Sequence, residues 1–235
     1  MKLKTGLFLF VSALILTSTV IAQDAQTIVK NHNEAMGGLK KWENIKTFVL
    51  EGTMSVMGLD MPLKMSYIRD KGMRQDFSVM GSECYVILTA NAGWKFIPPQ
   101  GDTAPVAMSS DEMKGTGNDL SFENKLMTSF RRNAKFELQG RENVNGVSCH
   151  KLKVTNPDNK VYTCYVDPTT WYLLKTSETA NVQGQDMEVE TVYSKHTRQP
   201  SGIVVALEAD SGEGGKLTYT KVSVNTIEGD AILKP

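Results

Sequence analysis

Three histidines (His32, His150 and His196), three cysteines (Cys84, Cys149 and Cys164) and an acidic run (Asp186, Glu188 and Glu190) are the residues of this 235-residue chain whose types could support catalysis or hold a metal. Their spacing argues against both. The histidines lie far apart, no Cys-x-x-Cys pair occurs, and there is no His-Glu-x-x-His sequence, nucleophile elbow or phosphate loop. His150 alternates with Leu152 and Val154, which reads as a structural place on a strand. The three acids recur at every second residue opposite Met187 and Val189, the pattern of a solvated strand face. No catalytic residue, metal ligand or cofactor is assigned, and an enzyme is not expected.

The chemistry that remains is apolar. Of twelve methionines, Met54, Met57, Met61, Met65, Met73 and Met80 fall in one short stretch, with Tyr67, Phe77, Trp94 and Phe96 close by. Methionine adapts to irregular contacts, so a sheet lined with it can hold a variable acyl chain. The candidate ligand-cavity residues are Met54, Met61, Leu63, Met65, Tyr67, Trp94 and Phe96. The plainer reading of the same side chains is a packed core. Arg69, at the end of the alternating apolar face, is a candidate contact for a polar head group, its plainer role being an ion pair.

The elements that must carry these residues follow from periodicity. Asp24 is placed to cap a helix over residues 25–36, with Ile28, Val29, His32, Ala35 and Met36 on one side and Gly37-Gly38 as its stop. A second short helix holds Leu39, Trp42 and Ile45. The period then changes to two. Phe48-Val49-Leu50 opens a β-rich region, and residues 61–70 alternate apolar with polar. Further strands are expected at 74–79, 83–89, 93–97, 135–139, 147–155, 160–167, 171–179, 187–193, 202–208 and 216–224. An amphipathic helix is expected across Leu120, Phe122, Leu126, Met127 and Phe130, kept apart from the preceding segment by Gly115-Thr116-Gly117-Asn118. Residues 98–113, opening on Pro98-Pro99-Gln100-Gly101-Asp102, read as a surface loop. Short strands joined by turns predict an antiparallel meander rather than a doubly wound sheet.

Residues 1–22 read as an export signal: Lys2 and Lys4, an apolar run over 7–21 and the small Ala22. That run is shorter than the ~20 residues of a membrane-spanning helix, and no later run is long enough. Residues 23–235 are expected to form a single domain, without an integral membrane segment. The chain carries no net formal charge, and loss of Lys2 and Lys4 leaves it mildly acidic, which gives no support to nucleic-acid binding. In an oxidising compartment the hairpin around Asn156-Pro157-Asp158-Asn159 allows a Cys149–Cys164 bridge in one register. A shift of one residue puts the sulfurs on opposite faces.

Several segments together resemble the bacterial outer-membrane lipoprotein-sorting, or LolA-like, superfamily, in particular its exported Bacteroidota members. They are Gly37-Gly38-Leu39-Lys40-Lys41-Trp42-Glu43-Asn44-Ile45-Lys46-Thr47, Glu51-Gly52, Tyr165-Val166-Asp167-Pro168-Thr169-Thr170-Trp171, residues 190–193, Gly202-Ile203 and residues 222–235. The chain departs from relatives after Ile203, running Val204-Val205-Ala206 where they commonly carry proline. The resemblance implies a mainly β, α+β fold: an incomplete antiparallel β-barrel or strongly curved sheet with helices covering the concave face. It also implies a soluble periplasmic carrier, noncatalytic, for lipoprotein acyl chains or another lipid, with an envelope protein as a further partner. The alternative is a noncatalytic envelope-assembly module that binds protein and has a packed core.

Overall fold

The computed structural model describes residues 24–115, 120–182 and 185–235. The export signal expected at 1–22 and most of the glycine break expected at 115–118 lie outside the described residues. Thirteen strands form one antiparallel sheet: β1 Thr47–Val56, β2 Leu59–Ile68, β3 Gly72–Val79, β4 Ser82–Thr89, β5 Gly93–Phe96, β6 Val106–Ala107, β7 Lys135–Val144, β8 Val147–Thr155, β9 Val161–Val166, β10 Leu173–Val182, β11 Gln185–Arg198, β12 Val204–Asp210 and β13 Lys216–Val224. Their order is β6-β5-β4-β3-β2-β1-β13-β12-β11-β10-β9-β8-β7, so β6 and β7 are edges and the sheet is not closed into a barrel. Among the described residues the helices are few and short: α1 over residues 24–35, α2 Leu39–Glu43, α3 Ser110–Gly115 and α4 Lys125–Arg131. The antiparallel meander expected from the alternation, and the mainly β, open sheet that the resemblance implied, are the architecture observed.

The chain divides into two compact units. In the first, which includes α1 and residues 125–191, Ala25, Ile28, Val29 and His32 form a buried stripe of α1, and Met36 just past its end is buried as well. The buried His32 donates from Nδ1 to the Trp171 carbonyl oxygen at 2.7 Å. Leu126 and Met127 of α4 are fully buried, and Ser129 beside them donates to Asn156 Oδ1 at 2.7 Å. The Tyr162 hydroxyl touches Ser129 and donates to the Lys125 carbonyl at 3.0 Å, so polar bonds fix α4 against β9. The Asp167 carboxylate closes the turn before β10, accepting from the Thr169 amide at 2.7 Å and the Thr170 hydroxyl at 2.8 Å.

The same unit decides the cysteine question. In the β8–β9 pairing His150 faces Val166 and Leu152 faces Cys164, which places Cys164 on the Leu152 side. Cys149 lies on the other side, packed with Val144 and Tyr165. Side chains alternate strictly along a strand, so this register separates the two sulfurs, and all three cysteines are buried free thiols. The bridge that the hairpin allowed is not formed.

The second unit contains residues 37–124 and 192–235. The bend into α2 runs so close to the chain after β11 that a Cβ on Gly37, where φ is +107°, would lie 2.6 Å from the Gly202 carbonyl oxygen. Helix is confined to Lys125–Arg131 where the amphipathic pattern predicted it from Leu120; residues 120–124 are not helical. Tertiary contacts of Phe122 and Glu123, both in this unit, override the helical period there. The segment read as loop from 98 to 113 holds a 3-10 turn at Pro98–Gln100, the short β6 and the start of α3.

Candidate functional site

Pairing register assigns each candidate residue of the second unit to a face. Met54 faces Met61, Gly52 faces Leu63, Leu50 faces Met65 and Phe48 faces Tyr67 across β1 and β2. Leu63, Met65 and Tyr67 in turn face Phe77, Gln75 and Met73 of β3. On the other side of β1, Gly52 and Met54 face Tyr219 and Leu217 of β13. Directly paired residues project to the same side. Met54, Met61, Leu63, Met65 and Tyr67 therefore share one apolar face, joined by Phe77 and Tyr219, which sequence reasoning had not assigned to it. The signal for Phe77 was present in the alternation Met73, Gln75, Phe77, Val79.

Trp94 and Phe96 are not on that face. Leu88 pairs with Gly93, so Trp94 lies beside Ile87 and Phe96 beside Tyr85, on the reverse side of the sheet. There Trp94 packs against a cluster of Ile68, Ile87 and Leu233, and the rings of Phe96 and Tyr85 are 5.6 Å apart. The parity of β5 is set by its turn, which the alternation within β5 alone does not reveal.

The apolar face has a closed end and an open end. At the closed end Phe48, Leu50 and Tyr67 are buried. Phe122 covers this end, with ring centroids 5.1 Å from Phe48, 6.1 Å from Tyr67 and 6.3 Å from Trp42. Arg69 lies 4.5 Å above the Phe122 ring. Its Nε donates to the Ile45 carbonyl at 2.7 Å and its Nη2 to the Trp42 carbonyl at 2.6 Å, where α2 ends. Nη2 also reaches the Glu123 carboxylate at 3.4 Å, and only 1% of that side chain is exposed. The guanidinium, a candidate for a head group, is thus engaged in holding α2 and residues 120–124 together.

From Met65 outward, Met54, Met61, Met65, Phe77 and Tyr219 are only half-buried, with the buried Leu63 between Met61 and Met65. The Tyr219 hydroxyl lies 3.4 Å from the Met65 sulfur, and burial pushes its pKa up to about 12, so it adds no charge to the face at neutral pH. Gly52 contributes no side chain between Leu50 and Met54. A β-bulge between Glu51 and Gly52 brings β13 so close that a Cβ on Gly52 would fall 2.0 Å from the Thr218 carbonyl oxygen.

The reverse side is polar near the same strands. A groove of about 560 Å³ at these strands is lined by Glu51, Thr53, Lys64, Asp76, Ser78 and Glu83 together with Pro62, Leu63 and Phe77. In the first unit, Glu190 is exposed and pairs with Lys175 at 2.6 Å, as a solvated strand face requires. His150 stacks on Trp171 with ring centroids 5.7 Å apart. Among the described residues no group of three or more His, Cys, Asp or Glu side chains could hold a metal ion.

Comparison with solved structures defines the class of fold. The chain is similar to a DUF1329 family protein from Desulfovibrio piger at 14% identity and a TM-score of 0.60, over 89% of this chain and 97% of the other. It is also similar to a putative outer membrane lipoprotein-sorting protein domain from Vibrio parahaemolyticus at 12% identity and a TM-score of 0.57, over 89% and 95%. A LolA superfamily protein from Nitrosomonas europaea matches at 13% identity and a TM-score of 0.55, over 87% and 94%. The chain thus has the LolA-like fold that its glycine and Asp-Pro-Thr segments pointed to. No protein-family model and no curated protein matches its sequence.

Proposed function

We propose that the half-buried end of the apolar face binds a lipid, or the acyl chains of a lipoprotein, and that the protein is a soluble, noncatalytic carrier in the periplasm. The observation that carries this reading is the group of half-buried Met54, Met61, Met65 and Phe77 around the buried Leu63, on a face whose far end at Phe48 and Tyr67 is buried. Methionine-rich surfaces repack around chains of different shape. Each buried methylene contributes about 0.8 kcal/mol, so about six of them supply about 5 kcal/mol without any bond being made. The LolA-like fold and the export signal expected at residues 1–22 support the location, and the described helices include none long and apolar enough to cross a membrane. An envelope protein that passes on or receives the cargo would be the second partner.

Gentle extraction of the protein from its native envelope, followed by mass spectrometry of bound lipid, tests the reading together with titration of a fluorescent fatty acid. Wild type is expected to bind, and Met61→Glu and Met65→Glu to bind at least about tenfold more weakly while retaining the β-sheet circular dichroism signal. Absence of both extracted lipid and fatty-acid uptake would overturn it. The alternative, an assembly module with a packed core, requires this end of the face to be closed, against which its half-buried methionines stand.

A further inference from the structure

Among the described residues, the two most exposed large apolar side chains occupy equivalent places. Met57 is 96% exposed and Met80 is 93% exposed. Met57-Gly58 is the two-residue turn between β1 and β2, closed by the Val56 and Leu59 pair, and Met80-Gly81 is the turn between β3 and β4, closed by Val79 and Ser82. In each turn both residues have positive φ, 51° then 78°. Such turns favour Asn-Gly, because asparagine tolerates the left-handed region and methionine does not. The chain uses the favoured pair elsewhere: Asn145 and Gly146, at φ 50° and 89°, join β7 to β8. At two turns of the second unit, a strained and solvent-exposed methionine stands where folding alone favours asparagine.

Both turns lie at one end of the sheet, because β1 and β3 each run antiparallel to β2. Two strand spacings, about 10 Å, separate them across the sheet, and the Met57 turn reaches about two residues, roughly 7 Å, further along it. Leu59, 64% exposed, extends the apolar surface of the first tip. The charged residues nearest to these turns in sequence and pairing are of both signs, Asp60, Glu83 and Lys216. We infer that the tips at Met57 and Met80 dock the protein on a lipid bilayer by inserting these side chains at the interface. Isolated apolar points on narrow turns have no flat surround for a protein partner to cover, whereas a fluid interface accepts points. Mixed charge at their base makes this docking indifferent to head-group charge and to salt. The inference does not depend on cargo binding, since the tips and the apolar face are different surfaces.

The test is co-flotation of the full chain with phosphatidylcholine vesicles at low and high salt, comparing wild type with a Met57→Asn, Met80→Asn double variant. The double variant should melt no lower than wild type, because asparagine suits both turns, and should partition roughly tenfold more weakly at either salt concentration. An environment-sensitive dye on Met80→Cys should shift to the blue on adding vesicles, and the same dye on Thr226→Cys, beyond the far end of β13, should not. Equal partitioning of the double variant, or a Met80→Cys dye that does not shift, would overturn the inference. Cargo binding is read by fatty-acid titration without vesicles, so the two proposals can fail separately.

Discussion

A single hydrogen atom at Gly52 determines how closely β1 and β13 can approach. Alanine there would place its Cβ against backbone, 2.0 Å from the Thr218 oxygen and 2.8 Å from the Tyr219 Cα, which no side-chain rotation can relieve. Gly52→Ala is expected to destabilise the protein by about 3 kcal/mol in urea unfolding, with the loss reflecting displacement of β13. Arg69 and Glu123 form the other local dependence. Arg69→Met removes two bonds to the end of α2 and the ion pair to the buried Glu123 carboxylate, so it should cost about 3 kcal/mol. Glu123→Gln keeps a polar acceptor and removes the charge, and should cost less. A double-mutant cycle should show the two losses to be strongly non-additive.

Among the elements, β8 and β13 match their expected spans to the residue, because each is an alternating run bounded by turn residues. The apolar face of β2 was equally legible. What one strand cannot announce is the parity of its neighbour, which is why Trp94 and Phe96 fall on the side opposite Met65 although they resemble it in character. Phe122 shows a different limit. Its helical period with Leu126 is genuine, yet stacking on Phe48 and pinning of the adjacent Glu123 hold it outside α4. A further signal was present in the loop from 98 to 113. Ser109 and Glu112 form a capping box, with the Ser109 amide donating to the Glu112 carboxylate at 2.8 Å and the Glu112 amide to the Ser109 hydroxyl at 3.2 Å. Ser109→Ala should cost about 1 kcal/mol in thermal or urea unfolding.

For the molecule as a whole, stability should fall in two separate pH windows. Burial, helped by Arg141, pushes the His150 pKa below its ordinary 6.5. The unfolded chain therefore binds this proton first, and stability declines as pH falls from 6.5 toward the lower folded value. Glu112 and Glu208 are held at about 2, the first chiefly by Lys95 and the second chiefly by Lys195. Their contribution is complete above about 4.5 and is lost as pH falls toward 2. His150→Gln should flatten only the upper window in urea midpoints measured against pH. The separation of Cys149 from Cys164 matters on another scale, that of time. Burial raises all three thiols above their ordinary pKa, so the folded chain offers no thiolate to an oxidant. While unfolded it offers three, and three cannot pair off evenly. A thiol reagent should label none in the native protein and all three in denaturant. In oxidising surroundings, folding is then a race in which each sulfur must be hidden before it finds the wrong companion.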